Sequence, residues 1–279
     1  MSGLTSTRTP SDAASVAEDR ARFYALLANA WRYPEPALIE TLRNGGNGAF
    51  PPTLRDDFGE SVIAPLRRLA KLFDEFRDDS DDEILSMLRA EHARLFGHSV
   101  RGTCPPYELE YGRSEIIQQT AELADLSGFY GAFGLDLRES SFERGDHIAV
   151  ECEFLSILCA KQAWGLREGS VKLAETCWDA QRLFLRDHLS RWSPALAHRV
   201  MKADPEGFHG RIAALMSAWL EWECRQFDIL LGPQWLELRP ADPETDAAID
   251  CDTGGCGPGA TERLVQLGVE GPSREGRTT

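Results

Sequence analysis

The stretch Asp146-His147-Ile148-Ala149-Val150-Glu151-Cys152-Glu153-Phe154-Leu155, continuing through Ser156-Ile157-Leu158-Cys159 to Leu166, decides the fold class. Its apolar side chains recur at intervals of three and four, the period of one buried face of an α-helix, with no strand-like alternation. Asp146 stands where a carboxylate can cap the free N–H groups of a helix start, and His147 and Glu151, four apart, share a face. The same period governs two more long segments downstream, Val171 to Trp192 and Phe208 to Leu231. Between them Ser193-Pro194 reads as a fresh helix start with proline at its first position.

The pattern also runs upstream. A helix is predicted over Ser15 to Arg32, with Phe23, Leu27, Ala30 and Trp31 inward, ending before Pro34; a short one over Pro36 to Arg43 stops at Asn44-Gly45-Gly46-Asn47-Gly48. Val62, Leu66, Leu69, Phe73 and Phe76 mark the next, with Pro65 tolerated in its first turn. Ser80 with Glu83 three residues on forms a capping box opening a helix to Phe96, terminated at Gly97. Periodicity lapses from Gly97 to Pro106, resumes over Glu115 to Phe133, and lapses again in the polar connection Asp136 to Gly145. From Pro240 onward Gly, Pro, Asp, Glu and Thr dominate. The expectation is an all-α fold with disordered residues 1–14, a helical half 15–138, a hinge 139–145, a second helical half 146–239 and a flexible tail 240–279.

Composition narrows the function. The chain has 279 residues, 42% hydrophobic and 27% charged, and 30 basic against 45 acidic residues leave a net charge of −15. With no Lys/Arg block against that background, wrapping nucleic acid or an anionic membrane is excluded as a main role. The longest charge-free stretches reach about half the ~20 residues of a membrane span, so no direct membrane insertion is expected. The start carries no secretory pattern and the seven cysteines are scattered, which reads as reduced thiols in a cytoplasmic protein. Phosphate loops, GxSxG, HExxH and paired ExxH helices are missing, so no catalytic residue, metal or cofactor is expected. Cys251 and Cys256 lack the second ligand pair that a zinc site usually needs.

Two clusters carry the polar and aromatic interest: Asp146, His147, Glu151 and Glu153, and the segment Glu91 to Tyr111. In the latter Leu95-Phe96-Gly97 ends a helix, and Pro105-Pro106-Tyr107-Glu108-Leu109-Glu110-Tyr111-Gly112 follows a loop. Two aromatics four apart beside prolines, next to Leu95 and Phe96, can line an apolar groove rimmed by Glu108 and Glu110; alternatively they anchor a long loop on the core. The Asp146 cluster is either an ordinary capped helix start or a set of partners for a basic ligand.

The order Arg94-Leu95-Phe96-Gly97, Pro105 to Tyr111, Asp146 to Leu155 and His188-Leu189-Ser190-Arg191-Trp192 resembles the TorD/DmsD/NarJ family of dedicated molybdoenzyme assembly chaperones, over roughly residues 18 to 235. The Cys104 to Gly112 wording is most similar to the branch serving type II dimethyl sulfoxide reductase family enzymes, such as selenate, chlorate or perchlorate reductases and dimethyl sulfide or ethylbenzene dehydrogenases. Two positions depart from the pattern: Leu109 stands where many relatives carry Ser, and Gly145 where others carry Pro.

The resemblance implies a helical bundle of about eight to ten helices in two halves meeting before Asp146, and a binding role without catalysis. The implied partner is the apo catalytic, molybdopterin-binding subunit of a dimethyl sulfoxide reductase family enzyme, held in the cytoplasm until its molybdenum cofactor is inserted, through the body of that subunit or its twin-arginine signal peptide. Carried over, His92, Leu95, Phe96, Pro106, Tyr107 and Tyr111 would form the apolar and aromatic part of the client-binding surface. Glu108, Asp146, His147 and Glu151 would form the polar part, with Asp146 and Glu151 as partners of an arginine guanidinium. Either a monomer or a domain-exchanged dimer fits. Two alternatives stand beside it: a metal-binding all-α enzyme using Asp146, His147, Glu151 and Glu91, and a structural subunit of a redox complex.

Overall fold

A computed structural model describes residues 10–44, 58–97, 102–112, 116–137, 143–240 and 267–269. Helix α1 (Pro10–Trp31) starts five residues ahead of the expected Ser15, with proline at its first position, where no N–H is needed. Its inward face holds Ala14, Ala17, Phe23, Tyr24, Leu27, Ala30 and Trp31, all buried. Helix α2 is Pro36–Asn44. In α3 (Glu60–Glu75) Pro65 lies in the second turn, one turn later than expected. Helix α4 (Asp81–Phe96) opens with the capping box: Ser80 accepts from the Glu83 N–H, and the Ser80 N–H donates to the Glu83 carboxylate at 3.0 Å. Gly97, at φ 75°, closes it.

A 3-10 turn (Glu108–Glu110), α5 (Ile116–Ala132) and the short strand β1 (Leu135–Leu137) follow. Then come α6 (Ile148–Arg167), α7 (Val171–Phe184), a π-helical turn (Leu185–Leu189), α8 (Ser190–Ala203) and α9 (Phe208–Phe227). Strand β2 (Leu267–Val269) lies antiparallel to β1, with Leu135 opposite Val269; the expected flexible tail otherwise falls outside the described residues, as does most of the expected hinge. Among the described residues, no helix is long and apolar enough to cross a membrane.

Ser193-Pro194 does not start a helix. Helix passes continuously from Val171 to Ala203, and Pro194 lies inside α8. A proline within a helix strands the carbonyl four residues back, here that of Ser190. The Gly232 N–H donates to that carbonyl at 2.9 Å, and the Ser193 hydroxyl donates to the Leu189 carbonyl at 2.5 Å. The proline signal was real, but the broken bond is replaced from outside the helix.

Helix α1 packs along α6, α6 on α7, and α9 against α8, α3 and α1. The buried apolar residues of both expected halves form one continuous cluster. At its centre Trp219 stacks on Phe23, ring centroids 3.9 Å apart, with Phe58 at 5.0 Å. Arg20 of α1 reaches into this interior and makes a two-pronged contact with Glu223 of α9, at 2.7 and 2.6 Å, while Tyr24 donates to the same carboxylate. The guanidinium lies 5.3 Å from both the Trp178 and Phe227 ring centres. A buried charge left alone costs several kcal/mol, and this fork-to-fork pairing between aromatic faces is the arrangement that tolerates one.

Candidate functional site

The segment 102–112 packs against the end of α4 and docks on the start of α6. Its first contact requires glycine: a Cβ on Gly102 would sit 2.0 Å from the Phe96 carbonyl oxygen. The Cys104 N–H then donates to the Leu95 carbonyl at 2.9 Å, and burial pushes the Cys104 thiol up to about 11, so it packs as an apolar group. Pro105 and Pro106 are buried. The Pro106 carbonyl accepts from the Ile148 N–H at 2.9 Å, and the Glu108 N–H donates to the Asp146 carbonyl at 2.9 Å. The loop is thereby stitched to the helix start by backbone bonds.

Asp146 does not cap α6. His147 does, its Nδ1 accepting from the Ala149 N–H at 3.1 Å, and burial lowers the His147 pKa, consistent with the acceptor role. Asp146, fully buried, instead accepts from the Leu109 N–H at 3.2 Å and from the Arg144 guanidinium, at 2.9 Å to one oxygen and 2.6 Å to the other. The same guanidinium lies 4.8 Å from the Tyr107 ring centre and 3.6 Å from Glu110. Tyr107, half-buried, donates its hydroxyl to Glu143 at 2.6 Å and sets its ring edge-on to His147.

Glu108 and Glu110 do not rim a groove; each is only 2% exposed. Glu108 meets His188 of the π-helical turn at 3.1 Å and Arg191 of α8 at 2.8 Å. Glu110 lies 3.6 Å from Arg239. Glu151 is buried, and both its oxygens accept from the Trp192 indole N–H, at 3.2 and 3.3 Å. Burial, reinforced by the charge of Glu108, raises its pKa well above the carboxylate range, which keeps it neutral and unsuited to pairing with a cation. Of the two carboxylates expected to meet a guanidinium, Asp146 alone does so.

Tyr111 is buried, hydroxyl to the Pro105 carbonyl at 2.8 Å and ring 5.2 Å from Trp192. Leu95 and Phe96 are core residues as well; Phe96 packs edge-on against Trp31, His92 and His209. His92, half-buried, also touches the Tyr33 ring, which is 47% exposed and lies under Arg89. The loop-anchoring reading therefore holds for Leu95, Phe96, Pro106 and Tyr111. Tyr107, His92 and Arg144 are partly exposed.

Sequence reasoning missed the cations and the strap. Arg191 belongs to a motif already singled out and Arg144 to the expected hinge just before one, and the acidic density around them was the signal that they were needed. Beyond α9 the chain turns at Asp228, φ 52°, and runs extended to Pro240 over this site. The Gly112 N–H donates to the Glu237 carbonyl at 2.8 Å and the Arg239 N–H to the Glu110 carbonyl at 2.9 Å. Glu91, named for a possible metal set, lies elsewhere and caps α9, accepting from the His209 N–H at 2.7 Å. Among the described residues no three His, Cys, Asp or Glu side chains are grouped to hold a metal ion.

Comparison with known proteins assigns the chain. The family model described as nitrate reductase delta subunit matches residues 56–198, just over half of the sequence. The chain belongs to the nitrate reductase delta subunit family. Within it, the chain is 25% identical over 177 residues to "Chaperone protein TorD" of Vibrio cholerae serotype O1 (strain M66-2), covering 62% of this chain and 76% of that one. It is 36% identical over 91 residues to the "Chlorate reductase assembly chaperone protein" of Ideonella dechloratans, 33% of this chain and 43% of that one, and 35% identical over 95 residues to the "Selenate reductase assembly chaperone protein" of Thauera selenatis, 34% and 45% respectively. The family-matched region contains the loop 102–112, the start of α6 and the π-helical turn, so the whole polar cluster apart from the strap lies inside it.

Proposed function

We propose that this protein is an assembly chaperone for a molybdoenzyme: it binds the apo catalytic subunit of a molybdopterin oxidoreductase of the dimethyl sulfoxide reductase family, in the cytoplasm, and holds it for cofactor insertion and export. The observation that carries this reading is membership of a family whose similar relatives are named as assembly chaperones, two of them for chlorate and selenate reductases. In support, Arg144, Tyr107 and His92 are partly exposed, and Asp146 and Glu143 hold the first two by a salt bridge and a hydrogen bond. A net charge of −15 suits encounter with a basic segment such as a twin-arginine signal peptide.

The test is a pull-down of the tagged protein from cells unable to make molybdenum cofactor, with mass spectrometry of what it retains. Recovery of one apo catalytic subunit, reduced when cofactor synthesis is restored, is expected. Equal recovery with the finished, cofactor-loaded enzyme would replace the chaperone reading with that of a structural subunit.

A further inference from the structure

Among the described residues Arg20, Arg89 and Arg144 each place a guanidinium between a carboxylate and an aromatic ring, and the first and last of these differ in access. Arg20 is 3% exposed and joins helices 203 positions apart in sequence. Arg144 forms its pair with Asp146 only two positions away, and its side chain is 25% exposed. Arg144 itself touches the loop at the Tyr107 ring and Glu110, but three further ties between the loop and the start of α6 do not pass through it. They are the Ile148 N–H to the Pro106 carbonyl, the Glu108 N–H to the Asp146 carbonyl and the Leu109 N–H to the Asp146 carboxylate. If the Arg144 side chain swings into water, those three bonds remain. What is left is a seat of defined chemistry: the Asp146 carboxylate presenting two oxygens, the Tyr107 ring face, and the Glu110 carboxylate, itself 3.6 Å from Arg239. A planar, doubly donating cation fits such a seat, and an ammonium ion fits it poorly.

We propose that Tyr107, Asp146 and Glu110 form a guanidinium receptor occupied by this chain's own Arg144, and that an arginine of a bound partner enters by displacing that side chain. The inference rests on the chaperone reading for the identity of the partner, and adds to it a self-occupied state. Arg144 then acts as an internal competitor. It keeps a buried carboxylate paired while no partner is present, and it lowers the apparent affinity by the fraction of time it fills the seat. Binding at this point is an exchange of one guanidinium for another, so it selects for arginine over lysine while adding no net buried charge.

The test uses Arg144→Ala in the full chain, with ethylguanidinium chloride and ethylammonium chloride as probes at equal ionic strength. Ethylguanidinium is expected to raise the melting temperature of the variant saturably, ethylammonium not, and the wild type is expected to respond to neither beyond a salt effect. Adding Tyr107→Leu to the variant should abolish the response. A labelled peptide with two adjacent arginines should bind Arg144→Ala about tenfold or more tightly than the wild type, the gain expected if Arg144 fills the seat more than about nine-tenths of the time. The lysine version of the peptide should show no such gain. Equal responses to the two small cations, or weaker peptide binding by the variant, would overturn the proposal. If Arg144→Ala folds poorly, Arg144→Lys supplies a paired but non-planar occupant and should still gain peptide affinity; no gain there, or no recovery of Arg144→Ala in ethylguanidinium, counts against the receptor. A failed client pull-down with a positive ethylguanidinium response would reject the chaperone reading alone.

Discussion

Replacing Glu91 by Gln should separate a charge effect from a packing effect at the junction of α4 and α9. The Glu91 side chain is 12% exposed, and its carboxylate accepts from the backbone N–H groups of Phe208 and His209 and meets the His209 ring nitrogen at 2.6 Å. Burial opposes its charge, but those hydrogen bonds and the adjacent imidazole prevail and hold it down at about 2, from an ordinary 4.5. The difference of ~2.5 units corresponds to roughly 3.4 kcal/mol, which solvent on the exposed edge and relaxation of the neighbouring Asp204–Arg94 pair reduce to about 2 kcal/mol. A carboxylate whose folded pKa is depressed stabilises the fold above its unfolded pKa and loses that contribution as pH falls toward the folded value. Gln keeps an acceptor for the helix N–H groups and removes only the charge. In urea melts with matched slopes, the variant should be less stable than the wild type by about 2 kcal/mol at pH 7, with roughly three-fifths of the gap gone by pH 3.5. A gap that stays flat from pH 7 to 3.5, or one below about 0.5 kcal/mol at pH 7, would refute the charge argument.

Glu151, held neutral by burial, should behave in the opposite sense: Glu151→Gln is expected to be more stable than the wild type by about 1 kcal/mol or more at pH 8, with the gap closing toward pH 4, in the same urea assay. Trp192→Phe leaves the Glu151 carboxyl without its indole donor and should cost about 1–3 kcal/mol by thermal unfolding. Gly232→Ala places a Cβ 2.2 Å from the Arg191 carbonyl oxygen, which should lift the start of the strap, lower stability by about 1–3 kcal/mol and open residues 232–240 to limited proteolysis. Tyr107→Ala should weaken binding of the apo client by at least roughly tenfold while the circular dichroism spectrum is unchanged.

The helices were legible because their signals are local: the Ser80 and Glu83 capping box, Gly97 as a stop, and the three-and-four spacing of α6 all act within a few residues. Ser193-Pro194 misled because the replacement donor, Gly232, lies 42 positions beyond the Ser190 carbonyl it satisfies, a distance no local pattern encodes. The site residues were found as types in the right neighbourhood and misplaced in role for a related reason. Glu108 reads as a surface acid until His188 and Arg191, 80 and 83 positions away, are seen to cover it. Asp146 resembles a cap because Asp commonly caps, but the adjacent His147 has the extended backbone, φ −74° and ψ 136°, that the capping position needs. The buried Arg20–Glu223 pair was invisible for the same cause, since each residue alone reads as part of a solvated helix face.

The strap also sets the order in which this protein can mature on the ribosome. The loop 102–112 draws its partners from Leu95 before it, from Asp146 and Ile148 after it, and finally from Glu237 and Arg239. The last of these leave the exit tunnel more than 120 residues after Gly112 itself, while α1 and α6 can already pair. Contacts this distant in sequence form late, because chain closure must precede them. The helical scaffold therefore assembles first, and the loop 102–112 gains its final edge only once residues 237–239 have left the tunnel. A copy truncated before the strap would carry the loop residues without their Glu237 and Arg239 partners.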